Sequence, residues 1–388
     1  MTKMPQPADK PELESCTPFN RPSLVGNELA YLRDAIERKH LSGDGFYTRR
    51  CEAVLSEEMA GARVLLTTSC THALEMAALL LDIAEGDEVI VPSFTFVSTA
   101  NAFVLRGARM VFIDVRPDTL NLDERLLPAL LTSRTKAVVP VHYAGVACAM
   151  DAILATTEKA GVAVVEDNAH GLFGRYSGRP LGTFGTMSTL SFHETKNVFC
   201  GEGGGLVLND AALAARAEIV REKGTDRSRF YRGEVDKYSW LDVGSSYVMS
   251  DMLAAFLYAQ LEKRAEIQSA RRRLWQRYYD GLRDWAHARG VDMPHVPEVC
   301  TSSYHLFHLL MTSLDERQAF IAHLRACGVQ AIFHYVPLHL SAMGQTFGGR
   351  LGDCPVAESV SDRIVRLPFF TTMSDSEHMR VIDAVRSF

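Results

Sequence analysis

The sequence of 388 residues predicts an α/β fold, in which a large domain with a mostly parallel sheet precedes a smaller α+β domain. Three observations support this prediction. Between residues 62 and 169, apolar segments of strand length alternate with segments of helical periodicity. The apolar segments are continuously rich in Val, Ile and Leu, which is typical of strands buried on both faces of a parallel sheet. After residue 250, a long helical pattern leads into a region of mixed short strands and helices.

The elements of the large domain follow one another along the chain. The predicted strands are ARVLLTTS, GDEVIVPS, ARMVFIDV, TKAVVPVHYAG and GVAVVEDNA. The predicted helices are CTHALEMAALLLDI, TFVSTANAFVLRG, residues 122–132 and residues 149–160. Folds of this kind place their sites at the carboxyl ends of the strands. The polar residues that follow each strand are therefore the first candidates for function.

A helical stretch from Ser250 to about residue 282 is long enough to join two domains. Beyond it we predict SYHLFHLLMT and VQAIFHYV as strands, DERQAFIAHLRACG as a helix and a final helix from about residue 374. The first residues are rich in proline and polar side chains, as in a loose arm. The predicted parts are an arm (1–20), a large domain (21–262) and a small domain (263–388).

Composition excludes several classes of protein. A net charge of -6 and an isoelectric point near 6.1 provide no basic surface for nucleic acid. No apolar run approaches the roughly 20 residues that cross a bilayer, and no apolar segment marks a secretory signal. Eight scattered cysteines, without a CxxC pair or a Cys/His cluster, indicate reduced thiols and no metal site. The expected location is the cytoplasm.

The segment TTSCTHAL, residues 67–74, places small hydroxyl residues where a strand becomes a helix. The first N–H groups of a helix are unpaired and carry partial positive charge, which suits a phosphate group. Ser and Thr are also favoured there as ordinary helix caps. The segment alone leaves both interpretations open.

The strand GVAVVEDNA ends in Glu166 and Asp167. An acid at the carboxyl end of an inner strand lies where α/β proteins form their sites. One of the two acids can equally be a surface residue or cap the next segment.

The segment SFHETKN, residues 191–197, contains Lys196, one of nine lysines in the chain. A lysine in an apolar site loses solvation, so its pKa falls and its neutral amine can attack a carbonyl carbon. The ordinary alternative is a solvated lysine on a turn.

Together the three segments match the requirements of one cofactor, pyridoxal 5'-phosphate (PLP). PLP needs a lysine as its covalent anchor, an acid beside its pyridine nitrogen and a cradle for its phosphate. The anionic acid keeps the nitrogen protonated, which makes the ring an electron sink. The order of phosphate turn, acid and lysine therefore indicates a PLP enzyme.

Longer segments resemble the DegT/DnrJ/EryC1/StrS sugar aminotransferases, which have the aspartate aminotransferase fold, fold type I of PLP-dependent transferases. The resemblance covers residues 18–388. It is carried by GDGFYTRRCE, LLTTSCTHALEMAALLLDI, GDEVIVPSFTFVSTANAFVLRGA, DVRPDTLNLDE, VPVHYAGVACAMD, SFHETKN and REKGT.

The resemblance implies a role for individual residues. Lys196 matches the lysine that anchors the cofactor and moves the proton to and from the substrate carbon. Asp167 matches the acid at the pyridine nitrogen, and His170 matches the residue that reaches the ring hydroxyl. Phe96 matches the aromatic residue stacked on the ring. The residues that match the phosphate site are Ser69, Cys70, Thr71 and Ser191.

Two positions depart from the family pattern. Many relatives carry an Asn–Tyr–Arg run whose Asn reaches the phosphate bound by the neighbouring subunit, whereas this chain has Ser246 and Val248 at the Asn and Arg positions. Asn168 replaces an alanine of the common Glu-Asp-Ala-Ala run, and we assign it no role. The resemblance implies a homodimer with its active site at the interface.

The activity implied by the resemblance is transfer of the amino group of L-glutamate to C4 of a dTDP-4-keto-6-deoxyhexose. The candidate contacts to the dTDP-sugar are His334, Tyr335, Trp240 and Lys237. Three alternatives remain at this point. The enzyme can form the other C4 epimer or use another keto sugar, it can be a sugar dehydratase, or it can be a non-catalytic sensor. Lys196 argues against the dehydratase branch, which has histidine there, and Asp167 together with Lys196 argues against the sensor.

Overall fold

The computed structural model describes residues 16–388. Its main sheet has seven strands in the order β1-β9-β8-β5-β4-β2-β3. These strands are β1 (Arg63–Thr67), β2 (Glu88–Pro92), β3 (Arg109–Ile113), β4 (Thr135–Val138), β5 (Ala163–Asp167), β8 (Met187–Ser191) and β9 (Gly204–Leu208). Only β9 runs antiparallel to its neighbours, β1 and β8. The two short strands between β5 and β8 are β6 (Arg175–Tyr176) and β7 (Arg179–Pro180).

Helices cover both faces of this sheet. They are α1 (Glu28–Glu37), α2 (Phe46–Glu58), α3 (Cys70–Leu80), α4 (Val97–Val104), α5 (Leu127–Leu130), α6 (Met150–Ala160), α7 (Ala214–Arg221), α8 (Arg227–Tyr231) and α9 (Asp251–Glu262). Strand β2 shows why both faces are apolar. Val89 and Val91 pack into the core beneath α3 and α4, whereas Ile90 packs into the core on the opposite face with Ile153 of α6. The predicted α/β architecture is confirmed.

The smaller unit has its own core, built around the carboxyl half of a long helix. That helix is α10 (Arg264–Arg289). The elements that follow it are β10 (Cys300–Thr301), β11 (His308–Leu310), α11 (Leu314–Ala326), α12 (Ala342–Thr346), α13 (Pro355–Arg363), β12 (Ile364–Arg366) and α14 (Asp375–Arg386). Strand β11 pairs with β12, and β10 pairs with β6. Leu274 and Tyr278 of α10 pack with Phe307, Phe320 and Val381 in this core.

Several element predictions need correction. The long helix predicted from Ser250 is two helices that meet at Lys263, because α9 packs on α1 and α2 whereas α10 turns into the second core. The helix predicted at 122–132 shrinks to α5, with Pro128 in its first turn. The segment VQAIFHYV forms no strand and contributes only two isolated bridges, Val329 with Thr17 and Ile332 with Arg366.

The predicted loose arm falls mostly on residues 1–15, which lie outside the described residues. The described part of it is held in place. Thr17 is buried, and its backbone N–H donates to Gly328 O at 2.8 Å. The carbonyl of Phe19 accepts a hydrogen bond from Phe369 N at 3.2 Å. The prediction of a loose chain is therefore wrong for residues 16–20.

Two further properties concern residues 16–388. No helix in this part of the chain is both long and apolar enough to span a bilayer. All eight cysteines are free thiols, and no group of three or more His, Cys, Asp or Glu side chains is placed to hold a metal ion in the described chain. The boundary between residues 262 and 263 and the cytoplasmic location stay predictions.

Candidate active site

The carboxyl ends of three strands meet at one edge of the main sheet. Asp167 ends β5 and lies beside Thr189 of β8. Ser191 ends β8 and pairs with Gly204, which also pairs with Thr67 at the end of β1. The three segments singled out in the sequence are therefore brought together by strand register.

Asp167 is buried and fixed by two hydrogen bonds. Its Oδ2 accepts from the hydroxyl of Thr99 on α4 at 2.7 Å, and its Oδ1 accepts from Ala169 N at 3.2 Å. Thr99 in turn hydrogen-bonds to the hydroxyl of Thr95 at 2.8 Å. This network holds the carboxylate in one orientation.

Glu166, the adjacent acid, serves a structural purpose instead. It is fully buried, and its oxygens accept hydrogen bonds from the backbone N–H groups of Gly182, Phe184 and Gly185 and contact His142 Nε2 at 2.9 Å. Because neighbouring residues of a strand point to opposite faces, only Asp167 is directed to the candidate site. Of the two acids, Asp167 therefore stays the candidate for a role at the site.

The amino end of α3 lies against the end of β9. Ser69 caps the helix, since its hydroxyl accepts a hydrogen bond from His72 N at 3.1 Å. A Cβ atom at Gly204 would lie 2.3 Å from Cys70 N, so only glycine allows this approach. The hydroxyl of Thr71 donates to Ser98 Oγ at 2.8 Å. The segment is thus both a capped helix and a helix end with backbone N–H groups at the sheet edge.

Lys196 lies on the loop that follows β8. The loop is a tight turn, in which Lys196 N donates to His193 O at 2.9 Å. Burial lowers the pKa of the Lys196 amine to about 8, although the nearby Asp167 carboxylate favours its charged form. Burial also raises the pKa of the Cys70 thiol to about 12, so this neighbour is neutral. Lys196 is therefore a desolvated amine within electrostatic reach of an acid.

His170 follows Asp167 by three residues and lies beside Lys196. Its ring stacks on His305 with centroids 4.2 Å apart, and both rings line a small cavity with Lys196 and Ser191. Burial lowers the pKa of His170 well below its usual value, and its Nδ1 has no protein partner. A neutral imidazole therefore presents an unpaired nitrogen here.

Aromatic side chains surround the outer part of this region. Phe96, at the start of α4, is 55% exposed, and its ring centroid is 6.2 Å from that of Tyr335. The His334 ring stacks on Tyr335 at 3.5 Å, and its Nδ1 is 3.0 Å from the hydroxyl of Tyr143. Two of the predicted substrate residues, His334 and Tyr335, thus lie close to the predicted cofactor residue Phe96.

Three other predicted residues lie elsewhere in the chain. Ser246 lines a separate groove of about 1360 Å³, in which buried Arg221 contacts Asp44 and Glu52. Trp240 is 81% exposed, and neither it nor Lys237 lines the cavity beside Lys196. The groove at Ser246 is larger than the cavity beside Lys196 and is not lined by Lys196. The size of a cavity therefore does not identify the candidate active site.

A model of the DegT/DnrJ/EryC1/StrS aminotransferase family matches residues 22–386. The chain belongs to this family. The protein is accordingly a PLP-dependent aminotransferase of fold type I. The resemblance stated from the sequence is confirmed, as is its cofactor.

Individual relatives agree along nearly their whole length. An uncharacterised protein of Methanocaldococcus jannaschii is 32% identical, and the match covers 96% of this chain and 97% of the relative. The aminotransferase TlmJ from Streptoalloteichus hindustanus is 33% identical, with a TM-score of 0.86 over 97% of this chain and 98% of that one. Spr1654 from Streptococcus pneumoniae, provisionally a sugar aminotransferase and solved in a PLP form, is 26% identical, with a TM-score of 0.88 over 96% and 98% of the two chains.

The geometry of this aminotransferase fits PLP. The unpaired Nδ1 of buried His170 requires a polar partner, which the ring hydroxyl of the cofactor would provide. The oriented carboxylate of Asp167 suits a protonated ring nitrogen, and the amino end of α3 suits a phosphate. Lys196 would supply the amine. Each chemical feature of PLP thus has a counterpart in the aminotransferase.

Three residues at the site were not predicted from the sequence. Thr99 orients Asp167, His305 stacks on His170, and Arg366 lies on β12 near His334. Thr99 and His305 lie in ordinary helix and loop sequences, so the sequence gives no sign of their contacts at the site. Arg366 carries a signal, since it is a charge within the apolar run IVRLPFF.

Proposed function

We propose that this aminotransferase moves the amino group of L-glutamate to C4 of dTDP-4-dehydro-6-deoxy-D-glucose. The products are dTDP-4-amino-4,6-dideoxy-D-galactose and 2-oxoglutarate. The observation that carries the proposal is that Lys196, whose amine is desolvated, lines one cavity with Ser191 and His170, within electrostatic reach of Asp167. The choice of sugar is supported by GDGFYTRRCE, VPVHYAGVACAMD and REKGT, which resemble segments of a transaminase of enterobacterial common antigen synthesis that forms this product.

Lys196 is the proposed catalytic residue. When bound, PLP supplies an electron sink that stabilises negative charge at the substrate carbon. Because burial lowers its pKa, the Nζ atom of Lys196 is partly neutral near pH 8 and can both accept and donate a proton. We assign it the covalent attachment of the cofactor and the proton transfer at C4 of the sugar. In the opposite half-reaction it moves the proton of the α-carbon of L-glutamate.

Asp167 and the helix end are the proposed ionic contacts to the cofactor. The Thr99 hydroxyl holds Asp167 Oδ2, which leaves the carboxylate oriented to pair with the ring nitrogen. Backbone N–H groups at Ser69, Cys70 and Thr71, with the hydroxyl of Ser191, would hold the phosphate. These residues bind at two ends of the ring and fix its position.

His170 and Phe96 are the proposed contacts to the ring itself. Burial keeps the imidazole of His170 neutral, so it can hydrogen-bond to the ring hydroxyl without adding a charge. Phe96 covers the ring face and excludes water from it. His334 and Tyr335 are the proposed contacts to the hexose, which their stacking on each other beside Phe96 supports.

A homodimer is part of the proposal. Large apolar side chains are exposed on the segment 230–243, including Tyr231, Tyr238, Trp240 and Leu241. Such a patch on one chain is typical of a protein interface. We propose that a second copy covers it, and that Ser246, Lys237 and Trp240 act at the site of the partner rather than at their own. A serine at position 246 can give the partner's phosphate one hydrogen bond.

The test is incubation of the purified holoenzyme with dTDP-4-dehydro-6-deoxy-D-glucose and L-glutamate, followed by NMR of the product. The proposal predicts equimolar 2-oxoglutarate and an axial amine at C4. An equatorial amine would replace the named product by its gluco epimer. Release of 2-oxoglutarate only with a different keto sugar would overturn the substrate.

A further inference from the structure

Asn197, the residue directly after Lys196, connects the loop of the proposed anchor to the small unit. Its side chain is buried, and both ends of its amide are hydrogen-bonded. The Nδ2 group donates to Ser303 O at 2.7 Å, and Oδ1 lies 3.0 Å from His305 Nδ1. Because a carbonyl oxygen only accepts, the first bond fixes the orientation of the amide, and the second places a proton on His305 Nδ1.

The loop between β10 and β11, which contains Ser303 and His305, also holds His170. The His305 ring stacks on the His170 ring with centroids 4.2 Å and planes 25° apart, and the Ser303 hydroxyl donates to His170 O. Burial lowers the pKa of His305 well below its usual value, as it does for His170, so both stacked rings are neutral. The backbone and the ring of His170 are thus fixed by one loop.

Helix α10 and the sheet edge hold this loop in turn. The guanidinium of Arg271, which is 2% exposed, donates to the backbone oxygens of Tyr304 and His305. Ser303 N donates to Gly145 O at 3.0 Å, and a Cβ atom at Gly145 would lie 1.9 Å from Ser303 Oγ. The loop therefore cannot shift without breaking several buried hydrogen bonds.

We propose that Asn197 and His305 are positioning residues, which hold the unpaired Nδ1 of His170 in place for the ring hydroxyl of the cofactor. The inference rests on the proposed contact of His170 to PLP and extends it to two residues that act through His170. Lys196, Asn197, His170 and His305 line one cavity, so the anchor and the ring contact share this support. A polar group that is already held in its bound orientation loses less entropy when the ligand binds.

His378 provides a comparison, because it is a buried histidine in a similar environment away from the cavity. Its Nε2 lies 3.0 Å from Leu274 O, and its ring centroid is 4.0 Å from that of Tyr278. It is fully buried in the small unit and does not line the cavity beside Lys196. Loss of packing and of one hydrogen bond can therefore be measured at His378 without a change at the site.

The test compares the binding of PLP and of 3-deoxypyridoxal 5'-phosphate, which lacks the ring hydroxyl, to the apoenzyme. His305→Phe keeps an aromatic ring but loses the bond to Asn197. The preference for PLP, measured as the ratio of the two dissociation constants, should fall about tenfold, because His170 no longer holds the hydroxyl. His378→Phe, which also keeps a ring and loses one hydrogen bond, should retain the wild-type ratio.

Two further variants complete the experiment. His170→Phe removes the proposed contact itself and should lower the ratio to the same extent, and the double variant His170→Phe, His305→Phe should show no further loss. Asn197→Leu, which removes both amide bonds, should also lower the ratio, and it provides the comparison if His305→Phe does not fold.

A wild-type ratio in His305→Phe and in Asn197→Leu would overturn the inference. An unchanged ratio in His170→Phe would refute the contact of His170 on which the inference rests. Neither result depends on which keto sugar the enzyme accepts, so failure of the proposed substrate is measured separately.

Discussion

The hydroxyl of Thr99 donates a hydrogen bond of 2.7 Å to Oδ2 of Asp167. The two residues are 68 positions apart, on α4 and at the end of β5. This contact fixes the orientation of the buried Asp167 carboxylate. It also connects the acid to α4, which begins directly after Phe96. The proposed contacts to the nitrogen and to the face of the cofactor ring are therefore built on one helix–strand junction.

The first prediction concerns this junction. Thr99→Val keeps the shape of the side chain but removes the donor to Asp167. We expect the free energy of unfolding of the apoenzyme to fall by about 2 kcal/mol, because a buried carboxylate loses a hydrogen bond. PLP should also bind more weakly. Denaturant titration and PLP titration measure the two effects. Thr156→Val, which removes a helix hydroxyl bonded to Ala152 O, is the control and should change stability by less than about 0.5 kcal/mol.

The second prediction concerns a buried connection between the two units. His339 contacts Ser93 Oγ through Nδ1 at 2.5 Å and Glu358 Oε1 through Nε2 at 2.9 Å. His339→Gln cannot satisfy both partners at these positions, so stability should fall by about 2 kcal/mol. Denaturant unfolding measures the loss, with the exposed His287→Gln as the matched control. Equal stability of the two variants would show that the contact is dispensable.

The third prediction is a pH dependence. The pKa of Lys196 is lowered to about 8, so its amine is protonated below pH 8 and neutral above it. At pH 7 about a tenth of the molecules should carry the neutral amine, whereas an ordinary lysine is almost fully charged. The rate of PLP uptake by the apoenzyme should rise about tenfold per pH unit up to pH 8 and then level off. A rate that keeps rising to pH 10 would contradict the lowered pKa.

The fourth prediction tests the proposed dimer. Trp240 is 81% exposed and Leu241 is 55% exposed in the single chain. If a second copy covers them, the double variant Trp240→Ser, Leu241→Ser should raise the dissociation constant of the dimer about 100-fold or more, since a buried tryptophan is a typical hot spot. Sedimentation velocity over a concentration series measures this. Leu351→Ser, at 80% exposure on the small unit, should leave assembly unchanged.

The sequence predicted those parts of the site that depend on strand order. Asp167 and the turn at Ser69 each follow a predicted strand, and parallel strands bring such positions to one edge. Continuous apolar segments therefore predicted the sheet, whereas Lys196 was grouped with Asp167 by the requirements of PLP and by the family resemblance.

The sequence did not predict contacts between distant segments. His305 stacks on His170 only because the small unit folds against the edge of the sheet. The break at Lys263 was also missed, since helical periodicity continues across it while the packing partners of the chain change. The periodicity of apolar residues along a segment does not show which distant elements that segment packs against.

The most direct test of the account is reduction of the holoenzyme with borohydride, followed by proteolysis and mass spectrometry of the peptides. Reduction fixes PLP to the lysine that holds it. We predict the added mass on the peptide that contains Lys196, and none on peptides with the other lysines. Cofactor mass on another lysine, or on none in a PLP-loaded protein, would contradict the central claim that Lys196 is the anchor.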